Sequence, residues 1–173
     1  MVRWRGGPVA GWLLKGVAAG AVVLLVAAVL FLNILFPFKY TGSVEAYSKQ
    51  YNVDSRLVYA VIWTESKFDK NAVSRAGAVG LMQLLPSTAE WCAEKVGEEY
   101  NRQRLYEADY NIKLGTYYLS YLIRKYGEND AITAYNAGER NLSRWAGEVR
   151  FKETEEYIKR VWLAKRVYEF KSK

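Results

Sequence analysis

The stretch ESKFDKNAVSRAGAVGLMQLLPSTA, Glu65–Ala89, sets the problem that the rest of the chain must solve. A single glutamate ends an apolar helical run. A polar loop containing Gly77 and Gly80 follows, and the tetrad GLMQ (Gly80–Gln83) leads toward a new helix. Upstream, Asp54 or Ser55 supplies an N-cap, and Leu57, Val58, Val61 and Ile62 recur with helical spacing. One further step of that stripe lands on Glu65, so the acid belongs to the apolar face at the C-terminal end of its helix. Burial and the negative end of the helix dipole both disfavour a carboxylate, and both raise its pKa. A general acid working near neutral pH needs that arrangement. Taken alone, the same residues also fit an ordinary helix end with a salt-bridged glutamate, followed by a turn and two core side chains.

Downstream, Pro86 or Ser87 starts a helix that turns Trp91 toward the core and ends near Gly97. The longest helical segment, DYNIKLGTYYLSYLIRKYG, sets Ile112, Gly115, Tyr118, Leu119, Leu122, Ile123 and Tyr126 at helical spacing and closes at Gly127. A shorter helix in ENDAITAYNAG follows. The segment ETEEYIKRVWLAKRVYEF carries Tyr157, Val161, Ala164 and Tyr168 as an inner stripe. Before all of these, SVEAYSKQYN reads as a helix capped by Ser43. No segment alternates as a strand does, so the domain is all-α with a loop-rich flank around residues 67–85.

The N-terminal region is of another kind. Residues 16–38, GVAAGAVVLLVAAVLFLNILFPF, carry no charge and one strongly polar residue, Asn33. About 20 apolar residues suffice for a helix to cross a bilayer. Arg3, Arg5 and Lys15 precede the run, which puts residues 1–15 in the cytoplasm and the remainder outside. A cleaved signal peptide has a shorter apolar region that ends in small residues. This run is longer and leaves through the bulky LNILFPFKY, so an uncleaved transmembrane signal anchor is expected over 16–38. Residues 39–43 read as a tether and 44–173 as an exported domain. Gly16 and Gly20 have the spacing of a helix-dimer contact, a pairing that is also common by chance.

The 173 residues suit one domain once the span is set aside. The chain has no histidine and one cysteine, Cys92. Triads built on histidine are therefore excluded, as are the usual zinc sites, and no intramolecular disulfide can form. No metal and no cofactor is expected, and proton chemistry falls to Glu, Asp, Lys or Tyr. Cys92 reads as a small buried apolar residue. Without Arg3, Arg5 and Lys15, 22 basic residues face 18 acidic ones, a net charge of +4 on the exported part. Outside a cell, that bias suits anionic wall polymers or lipid headgroups and not nucleic acid.

Four motifs occur in order: ES at Glu65–Ser66, AVSRAGAVGLMQLLPSTA at Ala72–Ala89, AYNAG at Ala134–Gly138 and KETEEYI at Lys152–Ile158. Together they resemble the lytic transglycosylase family, with its goose-type, lysozyme-like fold, in the branch of the soluble lytic transglycosylase catalytic domain. The resemblance spans residues 44–165. It implies a lysozyme-like helical domain, here behind a single N-terminal transmembrane helix. Such a domain cleaves the β-1,4 bond between N-acetylmuramic acid and N-acetylglucosamine in peptidoglycan without water. Glu65 matches the catalytic acid, which protonates the scissile bond. As a base it then takes a proton from the muramoyl 6-hydroxyl while a 1,6-anhydro ring closes. Ser74 matches a serine that polarises the substrate near the reacting sugar, and Met82 and Gln83 match residues lining the glycan groove. Tyr135 matches a tyrosine near the catalytic glutamate, with Asn136 in the same motif, and Glu153 matches a glutamate on the far side of the groove. Leu85 stands where family members often carry methionine, which changes a groove contact and not the chemistry.

Two other readings stay open. A hydrolase of the same fold would use water and a second carboxylate. Asp69 is the nearest candidate in sequence, and it equally suits a loop cap. A wall-binding scaffold would keep the groove without turnover. Ser74 in a polar loop is also an ordinary turn residue, and Tyr135 is one of 14 tyrosines. The expected partners are peptidoglycan strands and the cell membrane, crossed once, with the domain on the extracytoplasmic side.

Overall fold

The computed structural model describes residues 8–144 and 152–173. The chain divides into two units, the second running from Phe38 to Lys173. Arg3 and Arg5 lie outside the described residues. The first unit is one helix, α1 (Pro8–Leu35). Within it, the 21 residues Lys15–Leu35 have a mean hydropathy of 2.7 and are long and apolar enough to cross a membrane. The apolar run of the sequence continues to Phe38, yet the helix stops at Leu35. Pro37 explains this, since it lacks an N–H and disfavours helical geometry at the residue before it.

The second unit contains α2 (Thr41–Tyr51), α3 (Ser55–Ser66), α4 (Pro86–Val96), α5 (Ala108–Tyr126), α6 (Glu128–Ala137), α7 (Glu139–Arg144) and α8 (Lys152–Lys171), with a 3-10 turn at Arg102–Tyr106. Extended pairing is limited, among the described residues, to isolated bridges of Val79 with Val73 and Leu84. The unit is all-α, as its periodicity predicts.

Helix α3 is central. Asp54 caps it by accepting from the Arg56 N–H at 2.9 Å, a contact typically worth about 1 kcal/mol over alanine. Leu57 through Ile62 are then buried without a break, because α2 and α8 both pack on this helix. The stripe expected from sequence is therefore a ring. Each aliphatic side chain so enclosed contributes about 1.5–3 kcal/mol. Helix α8 lies against α3 through the expected residues Tyr157, Val161, Ala164 and Tyr168. Helix α5 packs against α2, α4 and α6. Gly115 interrupts α5 because Met82 occupies the space beside it, where an added Cβ would overlap the methionine side chain. Cys92 is buried and unpaired with any other cysteine.

Three details differ from the sequence reading. Ser43 does not cap α2, which starts at Thr41 after a left-handed Tyr40. The Ser43 hydroxyl instead donates to Asp109 Oδ1 at 2.7 Å, a partner 66 positions away that local pattern cannot reveal. Phe38, read as the last residue of the apolar run, belongs to the second unit, its ring packing on Tyr59 and Tyr168 with centroids 4.9 and 5.2 Å apart. Trp91 packs on the core as expected but is only half-buried, its ring edge-on to Tyr121 at 4.9 Å.

Candidate active site

Glu65 occupies the last turn of α3. The backbone then enters the left-handed region at Lys67 (φ 52°) and again at Phe68 (φ 65°), which swings the chain into the loop. Two consecutive non-glycine residues in that region persist only where their surroundings hold them. Here the Phe68 side chain is buried, and the Lys67 ammonium sits 3.0 Å from the centre of the Trp63 ring. Ser66 anchors the helix end to the loop. Its hydroxyl donates to the Leu81 carbonyl at 2.8 Å, with the Ile62 carbonyl at 3.2 Å.

The GLMQ turn is bonded from two further helices. The Met82 N–H donates to Asn111 Oδ1 at 2.8 Å, and Asn111 Nδ2 donates to the Val79 and Leu105 carbonyls at 3.0 and 2.9 Å. From α6, the Tyr135 hydroxyl donates to the Met82 carbonyl at 2.8 Å. Gly80 has φ 82°, and a Cβ there would overlap the Asn111 side chain and the Leu105 carbonyl. Only glycine fits both demands. Gln83 folds back on the loop, its Nε2 donating to the Ala72 and Gly80 carbonyls at 3.0 and 2.9 Å.

The electrostatics centre on Glu65. Burial pushes its pKa up to about 7, against two weaker influences that favour the charge: the Tyr157 hydroxyl, donating to Oε1 at 2.6 Å, and the Arg160 guanidinium. A carboxyl poised there can give up and regain a proton at neutral pH. Burial, and then the Glu65 charge, raise the Tyr157 and Tyr135 hydroxyls well above the usual tyrosine range, so both stay protonated donors. Burial, and then Arg160, bring the Lys67 ammonium down to about 8.

The predicted residues fall into different places. Gln83, Tyr135 and Asn136 line one cleft of about 170 Å³ together with Leu85 and Gly138; Glu65 is not among its lining residues, and its link to the cleft is electrostatic, its charge opposing ionisation of Tyr135. A second cavity of about 320 Å³, walled by Trp91, Tyr121 and Glu139, shares Thr88 and Tyr118 with the first and extends the groove. Ser74 builds the loop, its Oγ accepting from the Ala78 N–H at 3.0 Å. The Met82 side chain is fully enclosed beside Gly115 and Thr116, and only its backbone serves the site. Glu153 is exposed in the first turn of α8. Asp69 Oδ1 accepts from the Asn71 N–H at 2.9 Å, the loop cap that its position allows. Among the described residues no cluster of three acids or cysteines is placed to hold a metal ion.

Sequence reasoning missed three contributors. Tyr157 was legible only as a core tyrosine, although it lies inside KETEEYI. Asn111, a polar residue that α5 buries completely, had its oddity as a signal. Ser66, beside Glu65, had none beyond its place in the motif.

Comparison with known proteins agrees with this fold. The family model described as the transglycosylase SLT domain matches residues 42–158. The chain is 36% identical over 118 residues to membrane-bound lytic murein transglycosylase C of Sodalis glossinidius, an alignment covering 61% of this chain and 33% of that protein. The fold is similar to that of an inactive mutant of the lytic transglycosylase Slt from Pseudomonas aeruginosa, with a TM-score of 0.76 and 32% identity over 81% of this chain and 25% of that one. It is likewise similar to the 70 kDa soluble lytic transglycosylase of Escherichia coli, with a TM-score of 0.75 and 28% identity over 80% of this chain and 25% of that one. The chain thus spans a third or less of the length of these relatives.

Proposed function

Since the chain belongs to the transglycosylase SLT domain family, we propose that it is a membrane-anchored lytic transglycosylase of peptidoglycan with Glu65 as its acid and base. The observation that carries this reading is the state of that one carboxyl, lifted to about 7 by burial and fixed by the Tyr157 hydroxyl at 2.6 Å.

Protonated Glu65 gives its proton to the oxygen that joins N-acetylmuramic acid to N-acetylglucosamine. The bond from that oxygen to the muramoyl anomeric carbon breaks, and the sugar develops oxocarbenium character. The ionised Glu65 then accepts the proton of the muramoyl 6-hydroxyl while its oxygen bonds to the anomeric carbon. A 1,6-anhydro ring closes, no water is consumed, and Glu65 regains its proton. One carboxyl suffices for both transfers. The loop-capping bond of Asp69 argues against the hydrolytic reading, which would need a second acid.

With its Nε2 committed to the loop carbonyls, Gln83 offers its Oε1 to sugar hydroxyl and acetamido N–H groups in the cleft, Asn136 offers its amide, and Tyr135 holds the Met82 backbone beneath them. Ser74 and Glu153 are assigned to substrate contact by the family resemblance alone. Helix α1 crosses the membrane, with the basic residues before it in the cytoplasm and the catalytic unit outside.

The test is mass spectrometry of muropeptides released by the full-length chain in detergent, with Glu65→Gln as control. Muropeptides ending in 1,6-anhydromuramic acid, absent from the control, are expected. Products one water heavier, with reducing ends, would replace this reading with a hydrolase. Glycan binding with no products would replace it with a scaffold.

A further inference from the structure

The outward face of α8 has a composition that neither the core nor the cleft uses. At about 100° per residue, the side opposite Tyr157, Val161, Ala164 and Tyr168 bears Leu163 and Phe170, seven positions apart. They are 58% and 71% exposed. Lys159, Arg166 and Lys173 flank them and are exposed as well. The only acid within 159–173 is Glu169, which falls at the margin of this face. A ridge of large apolar side chains between cations is the pattern of a helix at a lipid interface. The apolar groups enter the headgroup boundary and the cations meet anionic phosphates.

Chain connectivity says which surface is available. The Phe38 ring packs on Tyr168 at 5.2 Å, and the Lys171 ammonium lies 4.8 Å from its centre. Only Phe36 and Pro37 separate Phe38 from Leu35, the last residue of α1, a link of at most about 11 Å. The chain therefore leaves the proposed span no farther than that length from Phe38, which packs on the last turns of α8.

We infer that the outward face of the C-terminal half of α8 rests on the anionic lipid surface of the membrane that α1 crosses. This rests on the proposed span. At its other end the same helix sets Tyr157 on Glu65, and the eleven positions from Tyr157 to Tyr168 correspond to about 16 Å of helix. Lipid contact at one end of α8 is thereby joined along the helix to the carboxyl at the other, and cleavage is favoured on glycan strands close to the membrane.

The experiment uses the full-length chain in phosphatidylcholine vesicles with and without phosphatidylglycerol. A fluorescent label is placed at F170C or L163C, and at E94C as an exposed control on α4; the native Cys92 is buried. Lipids carrying a quencher in the headgroup are expected to quench the labels at 170 and 163 several-fold more than the label at 94, most strongly with anionic lipid. Combining K159E, R166E and K173E is expected to bring the quenching at 170 and 163 down to that of the label at 94, with the thermal unfolding midpoint unchanged. Equal quenching at 170 and 94 in chains that resist alkaline carbonate extraction would overturn the contact and leave the span standing. Extraction by carbonate would overturn the span and this inference with it. Protection of position 170 by added unlabelled protein, without lipid quenching, would assign the face to a second copy and overturn the inference.

Discussion

The Tyr157 hydroxyl donates to Glu65 Oε1 at 2.6 Å across 92 positions of sequence, joining the end of α3 to the first turns of α8 through a carboxyl poised near neutrality. The bond stabilises the ionised form, so it opposes the burial that raises the pKa. It fixes where the carboxyl points and also limits how far its pKa climbs.

Tyr157→Phe removes that bond and leaves the ring in place. A hydrogen bond to a charged group is worth about 1.5–3 kcal/mol, so the Glu65 pKa is expected to rise by at least about one unit. Activity that needs protonated Glu65 falls as pH rises through its pKa. The alkaline limb of the rate profile on purified glycan strands should therefore move upward by as much. A lower rate with an unmoved limb would show that Tyr157 only packs.

Glu65→Gln separates chemistry from stability. The carboxyl of the parent rises from 4.5 in the unfolded chain to about 7 in the folded one. Below the first value both states hold the proton and its ionisation costs nothing. Between the two, the unfolded chain ionises first, and stability falls as pH rises. Above the second the loss is complete, about 3 kcal/mol. The glutamine variant has no such slope. It should match the parent in acid and melt at a higher temperature in mild alkali while producing no muropeptides. Thermal unfolding of both proteins at the two ends of the range decides it, and equal melting in alkali would mean that Glu65 is solvated.

Periodicity made the helices legible, and it did so best where one face meets one partner. The α8 stripe was read residue for residue because Tyr157, Val161, Ala164 and Tyr168 all pack inward, on the side that faces α3. It said nothing of what the Tyr157 hydroxyl reaches, since spacing fixes the direction of Cβ and not the partner of a distal atom. Glu65 was legible for the same reason as the stripe, as its next step. GLMQ was not, because a turn has no period. There Met82 points into α5 at Gly115, and Gln83 adopts φ 47°. The Ser43 cap failed on a long-range competitor, Asp109.

Asn111→Ala tests whether the loop is built by that side chain. The change strips the Met82 N–H and the Leu105 carbonyl of their Asn111 partner at a fully buried position, and leaves the Val79 carbonyl only the Leu84 N–H at 3.1 Å. Each buried group left unsatisfied costs about 1–3 kcal/mol, non-additively. A loss of at least about 3 kcal/mol in denaturant unfolding is expected, together with faster hydrogen exchange in residues 79–84. A loss under about 1 kcal/mol would mean that water replaces the amide.

Gly115→Ala should act through Met82. The new Cβ would overlap the methionine side chain, and overpacking of this kind costs about 1–3 kcal/mol. Met82→Ala alone leaves a cavity and costs about 2–5 kcal/mol. Combined, the alanine methyl fills part of the space that the methionine leaves, so the double variant is expected to be more stable than the sum of the single losses predicts. The Tyr135 hydroxyl holds the Met82 backbone and not its side chain, so the double variant should keep more cleavage activity than Gly115→Ala, where the displaced methionine pushes the turn toward the cleft. Additive unfolding energies from the four proteins would show that the glycine and the methionine are not coupled, and an equally active Gly115→Ala would show that the turn absorbs the strain without moving.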